Sequence, residues 1–394
     1  MLTEDRKFML EALELARRGL GLASPNPTVG CVVVQGGSVI GRGFHEYKLM
    51  DHAEVRAIRE AAGRVRGATV YITLEPCCHR GRTPPCTDLL IRSAVSRVVV
   101  SARDPNPLVN GRGIEQIRAS GIQVDVGILR RRAERLIETF ACHAATGRPL
   151  VVAKAGMTLD GRIGLRGHGQ LPITSREAAE FTQGLRHELD ALLVGVGTVL
   201  EDDPELTCRG PFPKGRGLVR VILDSRLRTP PSARLFADSS SPVVIYCAPD
   251  AGAAPRRRLE RRGAEVVPVP RTRGGLSLDH ALEDLGRRGI LGLLVEGGSS
   301  VHWSFLSLGA VDKFHFILAP ALIGGKTAVP VVGGRGFSDL TSALQFKIVR
   351  VRRAGSDVIL EAYPSCSRSI ISPWPRSGAL PYSSRSSRLP LPRK

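Results

Sequence analysis

Long apolar runs are missing from this chain of 394 residues. No stretch approaches the ~18 uninterrupted apolar residues that a membrane span needs, so no membrane partner is expected. The opening residues, Met1-Leu-Thr-Glu-Asp-Arg-Lys7, mix acids with bases and lead into no apolar run, which argues against a signal peptide and for a cytoplasmic protein. Cysteine is sparse and dispersed: of eight, only Cys77, Cys78 and Cys86 cluster. That spread speaks against a disulfide framework and marks the cluster for metal or redox chemistry. Acids are outnumbered, 37 against 56 Lys and Arg, for a formal net charge of +19. Six of the positive charges lie in the last 31 residues, which hold no acid, and the rest of the excess is arginine spread through both halves. Aromatics, at 5% of residues, are too few to interleave a basic groove, so no nucleic-acid partner is expected. No G-x-G-x-x-G follows a strand pattern either, which leaves a Rossmann domain unsupported.

What is present is a regular alternation of helix and strand patterns. Thr3 is placed to cap a helix through Arg18, with Glu4 and Asp5 at its positive end. Cys31–Val34 and Ser38–Phe44 read as a hairpin around Gly36-Gly37. Helices at His52–Ala62, Pro85–Ser93 and Gly113–Ser120 alternate with strands at Ala68–Leu74, Arg97–Ser101 and Ile122–Val126, the grammar of a layered α/β domain. Arg131–Thr146 reads as one long amphipathic helix ended by Gly147-Arg-Pro149. A second α/β block then begins with Leu150–Ala155 and runs to Val358–Ala362. Its helices are expected near Ser175–Glu188 and Leu278–Arg288. The last 31 residues hold nine serines and six prolines without periodicity, a composition that cannot offset the entropy of ordering. The expected organisation is 1–147, 148–363 and a disordered basic tail, 364–394.

The chemistry concentrates at His52-Ala-Glu54, Leu74-Glu-Pro-Cys77 and Thr83-Pro-Pro-Cys86. Each falls at the edge of an expected element, and helix N-termini favour thiolates. One imidazole and two thiolates leave a fourth tetrahedral position for water, as a catalytic zinc requires. Zinc brings such a water to a pKa of ~7, and Glu54, two residues past the histidine, is free to move protons. H-x-E followed by P-C-x-x-C is the pattern of zinc deaminases; here eight residues rather than two separate the cysteines. Cys78 is a rival ligand, but adjacency to Cys77 makes joint chelation awkward. A purely structural zinc site is disfavoured, because three ligands and a glutamate leave the site open.

These segments, with Pro25-Asn-Pro-Thr-Val-Gly30 and Asp104-Pro-Asn-Pro107, resemble the bifunctional deaminase–reductase family of riboflavin biosynthesis. Lys154 with Leu159-Asp-Gly-Arg162, Ile173-Thr-Ser175, Asp202-Asp-Pro204 and Val295-Glu-Gly-Gly298 continue the resemblance in the second block. It implies a cytidine-deaminase-like three-layer α/β/α domain followed by a dihydrofolate-reductase-like α/β domain. It implies one Zn2+ per chain on His52, Cys77 and Cys86, with Glu54 catalytic. Deaminase substrate contacts carry over to Asn26, His45, Ala53, His79 and Arg82. In the second domain, substrate and NADPH contacts carry over to Lys154, Gly156, Gln170, Pro172, Thr174, Arg186, Thr198, Asp202, Leu206, Arg209, Ser225, Glu296, Gly297 and Gly298. Arg186 and Arg209 suit a ribose phosphate, whose oxygens a planar guanidinium fork can meet in pairs. The implied reactions are loss of the 2-amino group from 2,5-diamino-6-(5-phosphoribosylamino)pyrimidin-4(3H)-one and reduction of its ribosyl to a ribityl chain, in a homo-oligomer.

The pattern departs from the family at two places. Leu49 and Asp51 stand where the family has Gly and Pro ahead of the zinc histidine, and leucine tolerates a left-handed turn poorly. Gln170 and Pro172 stand where it has Ser and Trp, which removes an aromatic wall near the cofactor. A monofunctional deaminase with a degenerate second domain is the alternative that this loss raises. A nucleic-acid-editing deaminase is the alternative that the charge raises.

Overall fold

The computed structural model describes residues 2–169, 171–210 and 214–365. Gln170 and most of the basic tail, 366–394, lie outside these residues. The N-terminal elements are α1 (Leu2–Arg18), β1 (Gly30–Gln35), β2 (Ser38–Phe44), α2 (Ala53–Glu60), β3 (Thr69–Leu74), α3 (Cys86–Arg92), β4 (Arg97–Ala102), α4 (Arg112–Ala119), β5 (Gln123–Val126), α5 (Arg130–Leu136) and α6 (Glu138–Thr146). They build a five-stranded sheet, order β2-β1-β3-β4-β5. Alternation along the strands separates its two faces. Cys31, Val33, Val70, Ile72, Val98 and Val100 pack under α2, α3 and α4, whereas Val32, Val34, Tyr71 and Val99 meet α1 and α5. A side chain on Gly43 would come within 2.1 Å of the Ala53 carbonyl, so small residues on both partners let α2 lie directly on β2. That contact fixes the helix whose first turn carries Glu54. The long helix expected over 131–146 is instead two: Ile137 leaves helical geometry (φ −107°, ψ 14°) and separates α5 from α6.

The C-terminal elements are β6 (Leu150–Thr158), β7 (Arg162–Leu165), α7 (Arg176–Glu188), β8 (Ala191–Gly195), α8 (Val196–Asp202), β9 (Val219–Leu223), β10 (Val243–Cys247), α9 (Ala253–Glu260), β11 (Ala264–Pro268), β12 (Arg271–Thr272), β13 (Gly275–Leu276), α10 (Leu278–Arg287), β14 (Gly292–Val295), α11 (Ser299–Ser307), β15 (Lys313–Ala319), β16 (Ala328–Pro330), β17 (Phe346–Ala354) and β18 (Asp357–Pro364). Nine of these strands form one sheet, order β11-β10-β9-β8-β14-β6-β15-β18-β17. It is parallel from β11 to β15 and antiparallel at β18 and β17. Both faces are covered: Leu192, Val194, Ile222, Ile245 and Leu294 belong to one core, and Leu193, Val221, Val244, Leu293 and Val295 to the other. Burial on both faces explains why these strands read as unbroken apolar runs. α8 begins directly after β8, in a stretch whose glycines read as a strand end. Ser175 caps α7, its side chain accepting from the Ala178 amide at 3.3 Å. Among the described residues no helix is long and apolar enough to cross a membrane.

The two sheets are tied by polar contacts. Lys313 on β15 is buried and pairs with Glu138 on α6, whose other oxygen accepts from the Tyr363 hydroxyl at 2.9 Å. Burial alone would lower the Lys313 pKa, but Glu138, Tyr363 and Glu361 outweigh it and hold the ammonium charged. His143 meets the Gly286 carbonyl at 3.0 Å, and the Gly215 amide donates to the Gly21 carbonyl at 2.7 Å. Glu138→Ala removes the nearer carboxylate partner of a buried ammonium, leaving Glu361 at 3.8 Å, and should cost up to about 3 kcal/mol. Urea unfolding at neutral pH measures this; a loss below about 0.5 kcal/mol, the range of a surface substitution, would show that the pair is solvated.

Candidate active sites

The first site forms where β3 ends against the starts of α2 and α3. Cys77 follows β3, Cys86 opens α3, and His52 is the residue before α2. Their ligand atoms all lie within 4.8 Å of one another, with His52 Nδ1 3.2 Å from Cys86 Sγ and 3.5 Å from Cys77 Sγ. A soft donor set at this spacing fits a tetrahedral zinc with one open position. The Cys86 amide lies 3.3 Å from Cys77 Sγ as a donor, and Thr83 Oγ1 is 3.4 Å from the far nitrogen of His52. The hydrogen bond from Cys86, together with His52, holds Cys77 low, while Cys77 raises Cys86 and lifts His52 to about 9. A metal held by these groups would compete with protons for the imidazole and the thiols. Cys78 turns away, toward the Leu108 carbonyl at 3.8 Å.

A cavity of about 240 Å3 opens beside these ligands, lined by Glu54, Asn26, His45, Ala53, His79 and Arg82. The structure thus brings together every deaminase-site residue expected from the sequence. Glu54 is 4% exposed, and burial pushes its pKa up. His45 is buried and pushed down, so it is neutral. Its Nδ1 lies 2.9 Å from the Asp51 carbonyl and its Nε2 2.9 Å from Asn26 Nδ2. A carbonyl only accepts, so Nδ1 carries the hydrogen and Nε2 accepts from Asn26. That leaves the Asn26 oxygen as an acceptor. Arg82 lies over the Tyr47 ring, 5.2 Å from its centroid, and donates to its hydroxyl. The left-handed residue ahead of His52 is Met50 (φ 65°) rather than Leu49, which ends a 3-10 turn at Tyr47–Leu49. Asp51 answers Arg59 at 2.8 Å.

Sequence reading noted Glu75 only as part of a motif, and its role is larger. It is 3% exposed and accepts four backbone hydrogen bonds, from Asp104 and Gly111 on one oxygen and from Gly113 and Ile114 on the other, at 2.9–3.2 Å. The carboxylate fastens the 104–114 loop and the start of α4 to the strand end that carries Cys77. Asp104, beside it in the cavity wall, is raised by burial to about 6. Four amides meeting at one side chain have no local sequence signal; the Glu-Pro-Cys spacing was the only clue.

The second site lies along the carboxyl ends of β8, β9 and β14. A cleft of about 840 Å3 there is lined by Gly195, Thr198, Asp202, Ser225 and Gly298, among others. Gly195 and Gly297 are required by packing, since a Cβ on either would come within 2.7 Å of Val301 on α11. Next to it, Glu296 accepts both Nε and Nη2 of Arg186, at 2.7 and 3.0 Å, and lies 3.4 Å from Lys154 Nζ. Burial raises the Glu296 pKa, but Lys154 and Arg186 more than offset this and take it to about 2. Arg186 also donates to the Thr207 carbonyl at 2.8 Å, beside Leu206, which is buried in a left-handed conformation (φ 54°). Thr174 packs where a Cβ on Gly156 would stand, 2.8 Å away. Arg209 is exposed and pairs with Glu205 at 3.7 Å, and Pro172 is exposed outside the cleft lining.

Residues 2–102 match the family model described as the cytidine and deoxycytidylate deaminase zinc-binding region, and residues 149–360 match the RibD C-terminal domain. Together with the donor set, these matches define a zinc deaminase domain joined to a reductase domain, the class of bifunctional enzymes of riboflavin biosynthesis. Riboflavin biosynthesis protein RibD of Bacillus amyloliquefaciens is 40% identical over 360 residues, covering 91% of this chain and 96% of that protein. RibD of Escherichia coli (strain K12) is 36% identical, covering 91% and 98%. The chain belongs to the RibD family. A solved structure of Acinetobacter baumannii RibD superposes with a TM-score of 0.82 at 34% identity, covering 92% of this chain and 99% of that one. The Thermotoga maritima diaminohydroxyphosphoribosylaminopyrimidine deaminase/5-amino-6-(5-phosphoribosylamino)uracil reductase does so at 0.81 and 36%, with the same coverage.

Glu75→Gln replaces an acceptor oxygen with an amide that cannot accept, stranding buried N–H groups beside Cys77. Supporting groups of this kind typically carry about 10–100-fold in metal affinity. Competition with a chromophoric chelator should show that loss while circular dichroism stays unchanged. Undiminished zinc affinity would reduce Glu75 to a loop anchor.

Proposed function

We propose that the chain hydrolyses the 2-amino group of 2,5-diamino-6-(5-phosphoribosylamino)pyrimidin-4(3H)-one at the first site and reduces the ribosyl of the product to a ribityl chain with NADPH at the second. The observation that carries this is a buried Glu54 beside three zinc-suited ligand atoms, on the same chain as a cleft at the carboxyl ends of β8, β9 and β14, where β14 leads into the Glu296–Lys154 pair. The match of both halves to RibD proteins disfavours a deaminase with a degenerate second domain.

Zinc held by His52, Cys77 and Cys86 would supply hydroxide at neutral pH. Glu54 takes a proton from the attacking water and passes it to the ring nitrogen, then takes the remaining proton of the added hydroxyl, which becomes the carbonyl, and delivers it to the departing amine, which leaves as ammonia. Its burial supports this, because a raised pKa lets the carboxyl hold a proton between the two transfers. Asn26, oriented by neutral His45, accepts from the base edge. Arg82 and His79 face the ribose phosphate.

NADPH supplies the hydride in the second reaction. With Glu296 held ionised at about 2, it does not donate the accompanying proton at neutral pH. Lys154 Nζ is left as the donor, positioned by the same carboxylate that also occupies Arg186. The glycines, hydroxyls and arginines of the cleft fit a phosphate-bearing cofactor. Residues 147–149 join the two catalytic units, and the enzyme acts in the cytoplasm as a homo-oligomer on a free small molecule without nucleic acid.

Purified chain given the diamino ribotide and NADPH should release ammonia and consume NADPH together. Glu54→Gln should lower ammonia release about 10²–10⁴-fold with zinc retained, and abolish NADPH consumption from that substrate. Lys154→Met should leave ammonia release intact and lower NADPH oxidation by a similar factor. Ammonia without NADPH oxidation in the unmodified enzyme would restrict the function to deamination.

A further inference from the structure

Lys214 is a cation of the second domain that lines neither cavity. It lies in the segment that enters β9 at its amino end, away from the cleft at the carboxyl ends. Its ammonium donates to the His187 and Leu189 carbonyls at 2.7 and 2.6 Å. The end of α7 leaves such carbonyls without a helical partner, and a lysine suits the negative end of a helix. Burial lowers the Lys214 pKa, and Asp190 opposes that shift. The two bonds fasten the last turn of α7 to the segment that begins at Lys214.

What this clasp holds belongs to the other domain. A side chain on Gly21 would come within 2.6 Å of the His187 carbonyl and 2.7 Å of the His187 ring. The Gly215 amide donates to the Gly21 carbonyl at 2.7 Å, and a side chain on Gly215 would come within 2.9 Å of the Leu22 carbonyl. Contacts this close admit only glycine on both sides, so residues 21 and 22 are seated directly on the second domain. The turn they open places the substrate side of the first cavity. The Leu22 carbonyl accepts the Tyr47 amide at 3.0 Å, and the Tyr47 ring and hydroxyl hold Arg82. The Ala23 carbonyl accepts the Asn26 amide at 2.9 Å, and the Asn26 side chain meets His45. The zinc ligands, at the edges of β3, α2 and α3, do not lie on this turn.

We propose that Lys214 and Gly215 are positioning residues for deamination: from across the domain boundary they hold the 21–26 turn so that Asn26 and Arg82 meet the substrate. The assignment rests on the reading of the first site as the one that deaminates the diamino ribotide. It separates two supports. The metal and Glu54 are held within the first domain, whereas the groups that grip the substrate away from the metal depend on the second.

Steady-state deamination of the diamino ribotide by the full chain tests it, with zinc counted and NADPH reduction of the deaminated ribotide measured separately. In Lys214→Met and Gly215→Ala, KM for the diamino ribotide should rise about 10-fold, the worth of one substrate hydrogen bond, with kcat within about twofold and zinc retained. Gly215→Ala adds one methyl group and leaves α7 with its Arg186 untouched, so reduction should be unchanged in it. Lys214→Arg keeps donors for both carbonyls and should recover most of the lost affinity. An unmodified chain that releases no ammonia from the ribotide would overturn the deaminase reading and this assignment with it. Ammonia release with an unchanged KM in Lys214→Met or Gly215→Ala would overturn the assignment alone. So would an equal fall in both reactions, or a fall in kcat with loss of zinc, since either would make the contact a general support of the fold.

Discussion

A carboxylate removed from water costs several kcal/mol unless its oxygens are filled by donors. This chain meets that requirement at each point where its function needs a fixed backbone. Glu75 gathers four amides beside the metal ligands. Asp190 takes the Leu291 and Gly292 amides at 2.7 and 3.2 Å, and so holds the start of β14 against β8. Asp312 accepts the Val151 amide at 2.8 Å at the start of β6. Asp224 closes the loop after β9, and Glu138 joins the two sheets through Lys313. Because each group is more expensive unsatisfied than it is stabilising when satisfied, each enforces one local geometry rather than adding to a general pool of stability.

The catalytic carboxylates break that pattern in opposite directions. His52 lowers the pKa of Glu54, but burial outweighs it and lifts the pKa, which suits a group that must take up and release a proton. Glu296, half-buried, is clasped by Arg186 and Lys154 and falls to about 2. One environment makes a proton carrier and the other a permanent anion. The permanent anion occupies both nitrogens on one edge of Arg186, so this arginine serves Glu296 and the Thr207 carbonyl before any substrate phosphate.

Much of this was legible in the sequence where the signal is local. The strands named from the sequence are found because alternation, or unbroken β-branched runs, reflects burial on one or both faces, whereas β11 at the edge of the larger sheet was not among them. His52, Cys77 and Cys86 were legible because each sits at an element edge, and the fold brings those edges together. What the sequence concealed is non-local. Arg186 and Glu296 are 110 residues apart, and nothing near either one announces the pair. The break at Ile137 was hidden because the helical pattern continues on both sides of it. α8 was missed because Gly195-Val-Gly-Thr198 reads as a strand end, although the first glycine is there for the approach of Val301.

The departures from the family pattern show the same division between local and non-local effects. Leucine at position 49 argued for a distorted approach to His52, since a left-handed leucine is costly. The turn moves that conformation one residue on, to Met50, and Asp51 finds Arg59, so His52 still reaches both thiols. The metal geometry is held by Glu75, by the Cys86 amide and by the Gly43–Ala53 contact, none of which passes through the altered turn. Pro172 in the second block stands outside the cleft lining, although Gly169 lines it, and the cleft draws on β7 and the loop after it as well as on β8, α8, β9, β13, α10, α11, β16 and their loops. A site supported from several separate elements tolerates a change in one of them, which is why the altered turn at Leu49 leaves His52 within reach of both thiols.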